Sequence, residues 1–168
     1  MRRATLFTST IAGTIMLLGG VAAASGHEWK VGRLTGANEV PANASTASAK
    51  ASFEMEEDGM IHYKIRIKSP IKGAFMAHIH LAGVGQNGPI AVWLYGGPPP
   101  NLANAKDFAK GETLAQGSFD ASAIQIAGLT LDQLMARMDA GTAYVNVHTL
   151  ANRGGEIRAQ IVGDVDED

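Results

Sequence analysis

The chain contains no cysteine in 168 residues. That single absence excludes disulfides, thiol nucleophiles and thiolate metal sites, so the domain must be held by its core or by a bound ligand. Aromatic residues are sparse at 6%, and basic residues do not outnumber acidic ones, with 14 Lys+Arg against 16 Asp+Glu. A chain without a basic excess lacks the electrostatic footprint of a nucleic-acid binder. The sequence also has no Gly-x-Ser-x-Gly elbow, no phosphate loop and no His-Glu-x-x-His helix, so the commonest hydrolase, nucleotide-binding and zinc-protease signatures are missing. Beyond residue 24 no apolar run is long enough to span a bilayer.

What is present begins with a leader pattern. Arg2 and Arg3 form a basic start, Leu6 to Val21 is largely apolar, and Ala22-Ala23-Ala24 supplies the small residues of a signal-peptidase site. The predicted organisation is a signal peptide over 1–24, cleaved after Ala24, and one secreted or periplasmic domain over 25–168. An uncleaved amino-terminal anchor is the alternative, since 4–24 is nearly long enough to cross a membrane. Removing Arg2 and Arg3 leaves 12 basic and 16 acidic residues, a formal charge of −4.

Alternation dominates the rest. Trp29 to Leu34 reads as an edge strand with Trp29, Val31 and Arg33 on one side. Ala51, Phe53 and Met55 point inward before a two-residue turn at Asp58-Gly59. Ile61, Tyr63, Ile65 and Ile67 then oppose a solvated face of His62, Lys64, Arg66 and Lys68. Phe75, Ala77, Ile79 and Leu81 continue the inward side, which sets Met76, His78 and His80 opposite them. Ile90 to Tyr95 is a continuous apolar run, as a central strand requires, and Asn101 to Gly111 is a polar connection. Thr113 to Phe119 is a weaker strand. One helix is predicted where Thr130 and Gln133 make a capping box ahead of Leu131, Leu134, Met135 and Met138. Two neighbouring strands close the chain, one with Tyr144, Asn146 and His148 outward, the other with Glu156, Arg158 and Gln160 outward. The fold class is all-β: an antiparallel Greek-key or immunoglobulin-like β-sandwich, or related barrel, of about eight strands with a short inserted helix near 130–139.

Three separated motifs carry a family resemblance: Leu34-Thr35-Gly36-Ala37-Asn38-Glu39-Val40-Pro41; Ala77-His78-Ile79-His80 with the turn at 83–89; and Tyr144-Val145-Asn146-Val147-His148-Thr149 running into Asn152 and Gly155-Glu156-Ile157-Arg158. In this order they resemble the CHRD (chordin-type) domain over about 30–163. The chain departs from that pattern at Ala42 and Arg153, where proline is common, and at Ala159, where glycine is. The resemblance implies an extracellular or periplasmic β-rich module, single in bacterial exported proteins and repeated in chordin, an extracellular antagonist that binds growth factors. It implies no reaction.

The histidines suggest chemistry of their own. His78 and His80 lie two apart on one strand face, about 6.6 Å between Cα atoms, and His148 ends a later strand with the same outward phase. If the strands are adjacent, the three form a facial set suited to copper or zinc. Met76 on that face favours copper or is surface filler. The pattern resembles the copper half of copper/zinc superoxide dismutase, though the bridging and zinc-ligand histidines and the cysteines of that enzyme have no counterparts. The plainer alternative is that these histidines and Asn146 tie the glycine-rich turns to the sheet by hydrogen bonds. Glu156 and Arg158 make either a surface ion pair or a contact to the histidine face. The expected function is an exported, non-catalytic binding module for an extracellular or envelope protein, with no nucleic-acid partner. The alternative is a copper- or zinc-binding protein using His78, His80 and His148, with dismutase activity as its extreme form.

Overall fold

Alternating strands bury one face each, and here they do so in a single continuous sheet. The computed structural model describes residues 26–163, so the expected leader, its cleavage site and the acidic end at 164–168 lie outside the described residues. The strands are β1 (His27–Val31), β2 (Arg33–Thr35), β3 (Ser48–Met55), β4 (Ile61–Ser69), β5 (Ile71–His80), β6 (Ile90–Tyr95), β7 (Lys106–Phe108), β8 (Thr113–Phe119), β9 (Ala143–Thr149) and β10 (Ile157–Gly163). Their order is β6-β5-β9-β10-β1-β3-β4-β8, with β2 against β10 and β3, and β7 against β5. The two ends curl towards each other, and the Tyr63 hydroxyl on β4 donates to the Leu94 carbonyl on β6 at 2.9 Å. The all-β, sandwich- or barrel-like architecture expected from alternation is the one observed.

Inside the curl sit Leu34, Phe53, Ile61, Ile65, Ile67, Ile79, Val145, Val147, Ile157 and Ile161, all at 1% exposure or less. Each such side chain contributes about 1.5–3 kcal/mol, which is how a chain without disulfides holds together. The helix α1 (Leu131–Asp139) closes one end. The Thr130 hydroxyl accepts from Gln133 N, and the Gln133 side chain accepts from Thr130 N. Leu134 and Met138 are its buried residues, and Gly141 beyond it takes φ +66, a left-handed backbone that ends a helix without strain. Asp139 accepts from Trp29 Nε1 at 2.8 Å, tying the helix to β1.

Several local expectations need correction. Ten strands stand where about eight were expected, because Gly32 splits the first into β1 and β2 and because 106–108, read as connection, pairs with β5. The interruption at Gly32 also changes the phase: Leu34 is buried and Arg33 is exposed, the reverse of an unbroken alternation. β1 is not an edge strand but lies between β10 and β3. The loop at Asp58-Gly59 takes three residues, closed by Gly59 N to Glu56 O at 3.0 Å with Gly59 at φ +76. Finally, β5 slips register against β9 between Ala74 and Met76. This β-bulge turns Phe75 away from the core, and its ring packs 6.5 Å from that of His148.

Candidate metal centre

The second face of β5, β9 and β10 is set row by row. One row across the sheet reads Trp93, His78, Asn146, Arg158, and the next Ile90, His80, Tyr144, Gln160. His148 stands opposite Met76. The strand adjacency on which a three-histidine set depends is therefore present, and all three histidines share one face.

That face is not open to water. His78 is 0%, His80 9% and His148 5% exposed, so the outward phase of alternation here leads into a second, polar interior. The cover is the turn between β5 and β6. Arg158 donates through Nη2 to the Gly83 and Gln86 carbonyls at 3.2 and 2.8 Å and through Nη1 to Asn87 Oδ1 at 3.2 Å. Gln160 donates to the Ala82 carbonyl at 2.6 Å. Close packing then demands glycine at position 88, where a Cβ would lie 1.9 Å from the Leu81 carbonyl oxygen.

Within this pocket the imidazoles converge. Ring centroids of His78 and His148 are 5.0 Å apart, those of His78 and His80 5.3 Å, and one ligand nitrogen from each of the three lies within 4.8 Å of the others. His80 Nδ1 donates to the Gly88 carbonyl at 2.8 Å, and His148 Nδ1 donates to the Arg153 carbonyl at 2.8 Å. A carbonyl oxygen can only accept, so both Nδ1 atoms carry the proton and both Nε2 atoms keep a lone pair. His148 Nε2 faces His78 Nδ1 at 3.3 Å and Asn146 Oδ1 at 3.1 Å. The Nε2 atoms of His78 and His80 are buried without a hydrogen-bond partner among the described residues.

Electrostatics keep the rings neutral. Burial, reinforced by His148 and His80, lowers His78 to about 3. Burial also lowers His148 to about 4 against the opposing pull of the Arg153 carbonyl, and lowers His80 likewise, with the nearby Arg158 guanidinium adding to the effect. Neutral imidazole is the form that binds a metal. Around the cluster, Trp93 meets His78 edge to face at 4.2 Å, and Tyr144 stacks on His80 at 4.9 Å. The Arg158 guanidinium lies 3.3 Å from the Tyr144 ring centroid, a cation–π contact.

Sequence reasoning left Arg158 undecided between two partners. It reaches the histidine face rather than Glu156, whose carboxylate accepts from Ser45, Asn152 and Thr149. Glu39 was not singled out at all, yet the residue is 6% exposed and its carboxyl packs against Gly155, with a buried Oε1 that has no hydrogen-bond partner among the described residues. Burial raises it to about 7 in spite of Arg158 nearby. The signal that could have found it is its place in the first of the three motifs, all of which meet at this face. A second cluster of Glu56, Asp58 and His62 sits at the exposed β3–β4 hairpin, where a 2.9 Å contact between His62 and Asp58 accounts for it.

Against known families, residues 32–161 match the model of the CHRD domain. Neither a curated protein nor a solved structure matches the chain.

Proposed function

We propose that this chain, which belongs to the CHRD domain family, is an exported β-domain that holds one copper or zinc ion on His78, His80 and His148. One observation carries the reading: three buried imidazoles converge with two Nε2 lone pairs held inward by backbone acceptors on Nδ1, and nothing in the cluster donates to the Nε2 of His78 or His80. A hydrogen-bonding role alone explains the two Nδ1 contacts. It does not explain why Nε2 of His78 and Nε2 of His80 are desolvated and left without a partner among the described residues. The donor set is all imidazole, which suits copper and zinc and disfavours calcium or magnesium. The Gly88 and Arg153 carbonyls orient the ligating rings from behind, as acceptors behind metal-ligating histidines do. A bound copper would supply one-electron chemistry, a bound zinc a Lewis acid. Export is supported by the basic, apolar and small-residue order of 1–24.

The test is metal analysis of the untagged full chain beside a variant with His78→Ala, His80→Ala and His148→Ala. We expect close to one equivalent in the wild type and none in the variant. Trp93, in contact with His78, should be quenched as copper(II) binds in a Trp29→Phe background. Failure of the wild type to bind either metal more tightly than micromolar refutes the reading.

A second reading, a non-catalytic module for an extracellular or envelope protein, is favoured by a cleft between 37–40 and 84–85. There Val84 is 83% exposed beside the buried Glu39 carboxyl. A photo-crosslinker at position 84 in the native compartment should trap one discrete species, and the absence of any adduct counts against it.

A further inference from the structure

The outer face of β2, β3 and β4 carries a charge pattern that folding alone does not favour. Arg33 stands directly opposite Lys50, and Lys50 directly opposite Arg66, placing three cations in a row at about 4.8 Å per strand. Like charges so placed destabilise a sheet. Lys64, Arg66 and Lys68 form a second row along β4, all three exposed, and no acidic residue interrupts either row. Further along the same strands the pattern changes, with Glu54 opposite His62.

Arg33, Lys50, Lys68 and Lys110 together line a depression of about 400 Å³. The Arg33 guanidinium is held at its rim by Ser48 and Ser69, at 2.7 and 3.4 Å. The nearest acid along the chain to Lys110, Glu112, is turned onto the Ala109 amide at 2.6 Å. All this occurs in a chain with a formal charge of −2, so the clustering is local and not a by-product of a basic composition.

We propose that this face docks on an anionic phospholipid surface. The two rows cross at Arg66 and so define a plane, the shape of a charged bilayer surface, whereas a single row would track one polyanionic strand. Cations near such a surface act additively and are screened by salt. The inference is independent of the metal reading, since the face belongs to other strands than the histidines.

The test is co-sedimentation of the full chain with vesicles of phosphatidylcholine alone and of an equal mixture with phosphatidylglycerol. The apolar stretch of the leader affects both lipids alike, but Arg2 and Arg3 favour the anionic one, so the full chain carries Arg2→Gln/Arg3→Gln throughout and the readout is the excess binding to the anionic vesicles. That excess should vanish in about 1 M salt, where the screening length is roughly 3 Å. It should fall more than tenfold in Lys50→Glu/Lys68→Glu, with Lys50→Gln/Lys68→Gln as the milder pair. It should persist in Lys106→Glu/Arg137→Glu, which changes net charge equally away from the face. No excess for phosphatidylglycerol, or equal loss in both charge-reversed variants, overturns the proposal. So does salt-sensitive binding to heparin without binding to vesicles, which would assign the face to a polysaccharide.

Discussion

In β3 and β4 the residues that alternate away from the core, Lys50, Ser52, Lys64, Arg66 and Lys68, are in water. In β5, β9 and β10 the residues with the same phase, His78, His148, Asn146 and Arg158, are all at 5% exposure or less. The strands are built on one pattern, and the difference lies outside them. No described residue covers the first face, whereas the turn at 81–89 folds over the second and is pinned there by Arg158 and Gln160. Alternation determines which side chains share a face, and the cover determines whether that face is a solvated surface or a dry polar chamber. In the second case burial holds the imidazoles neutral below their ordinary range and keeps them available as ligands.

The contrast should break most readily at Arg158. Arg158→Ala removes hydrogen bonds to three turn residues and the Tyr144 contact, and should destabilise the fold by about 3 kcal/mol, read as a lower denaturation midpoint. An equivalent truncation on the open face, Arg66→Ala, should stay within about 0.5 kcal/mol. Next is Gly88→Ala. Its new Cβ would sit 1.9 Å from the Leu81 carbonyl oxygen, so the turn must move and carry away the carbonyl that orients His80. We expect about 2 kcal/mol of destabilisation and a 10- to 100-fold loss of metal affinity by titration calorimetry.

Acidity should sharpen the comparison. His78, His80 and His148 have folded values below the ordinary 6.5. The unfolded chain therefore takes up protons that the folded chain refuses. Their contribution is full above 6.5 and is lost as pH falls through the lowered values, about 3 for His78 and about 4 for His148. Glu39 acts in the opposite sense: raised from 4.5 to about 7, it stabilises below 4.5 and loses that contribution as pH rises through 7. Three groups against one predict that the metal-free protein gains stability from pH 4.5 to 6.5. Glu39→Gln should steepen that rise in urea titrations at stepped pH. The smallest expected effect is on the open face, where Lys50→Glu relieves the repulsion from Arg33 and Arg66 and should stabilise the fold by about 0.5 kcal/mol at low salt.

Much of this was legible in the chain itself. Ile61, Ile65 and Ile67 announce their strand by period, Thr130 and Gln133 announce the helix by their cap, and the phase of His78, His80 and His148 is correct. Three things were not legible, for physical reasons. A one-residue interruption such as Gly32 or the bulge at Phe75 inverts the phase without changing the composition, so Arg33, Leu34 and Phe75 were placed on the wrong sides. Burial of the histidine face depends on long-range bonds such as Arg158 to Gln86, which no local pattern encodes. And Glu39, from a separate loop, meets Gly155 and Arg158 only through the order of strands.

The central claim is that the histidine face is dry and that its Nε2 lone pairs are kept for a metal. Long-range proton–nitrogen NMR of the imidazoles in metal-free protein tests it most directly. We predict His80 and His148 in the Nδ1–H form at neutral pH, with His78 and His148 neutral down to about pH 5 and His78, His80 and His148 all shifted on adding one equivalent of zinc. Nε2–H forms for His80 and His148, or imidazolium signals from His78 or His148 already at about pH 6, would contradict it.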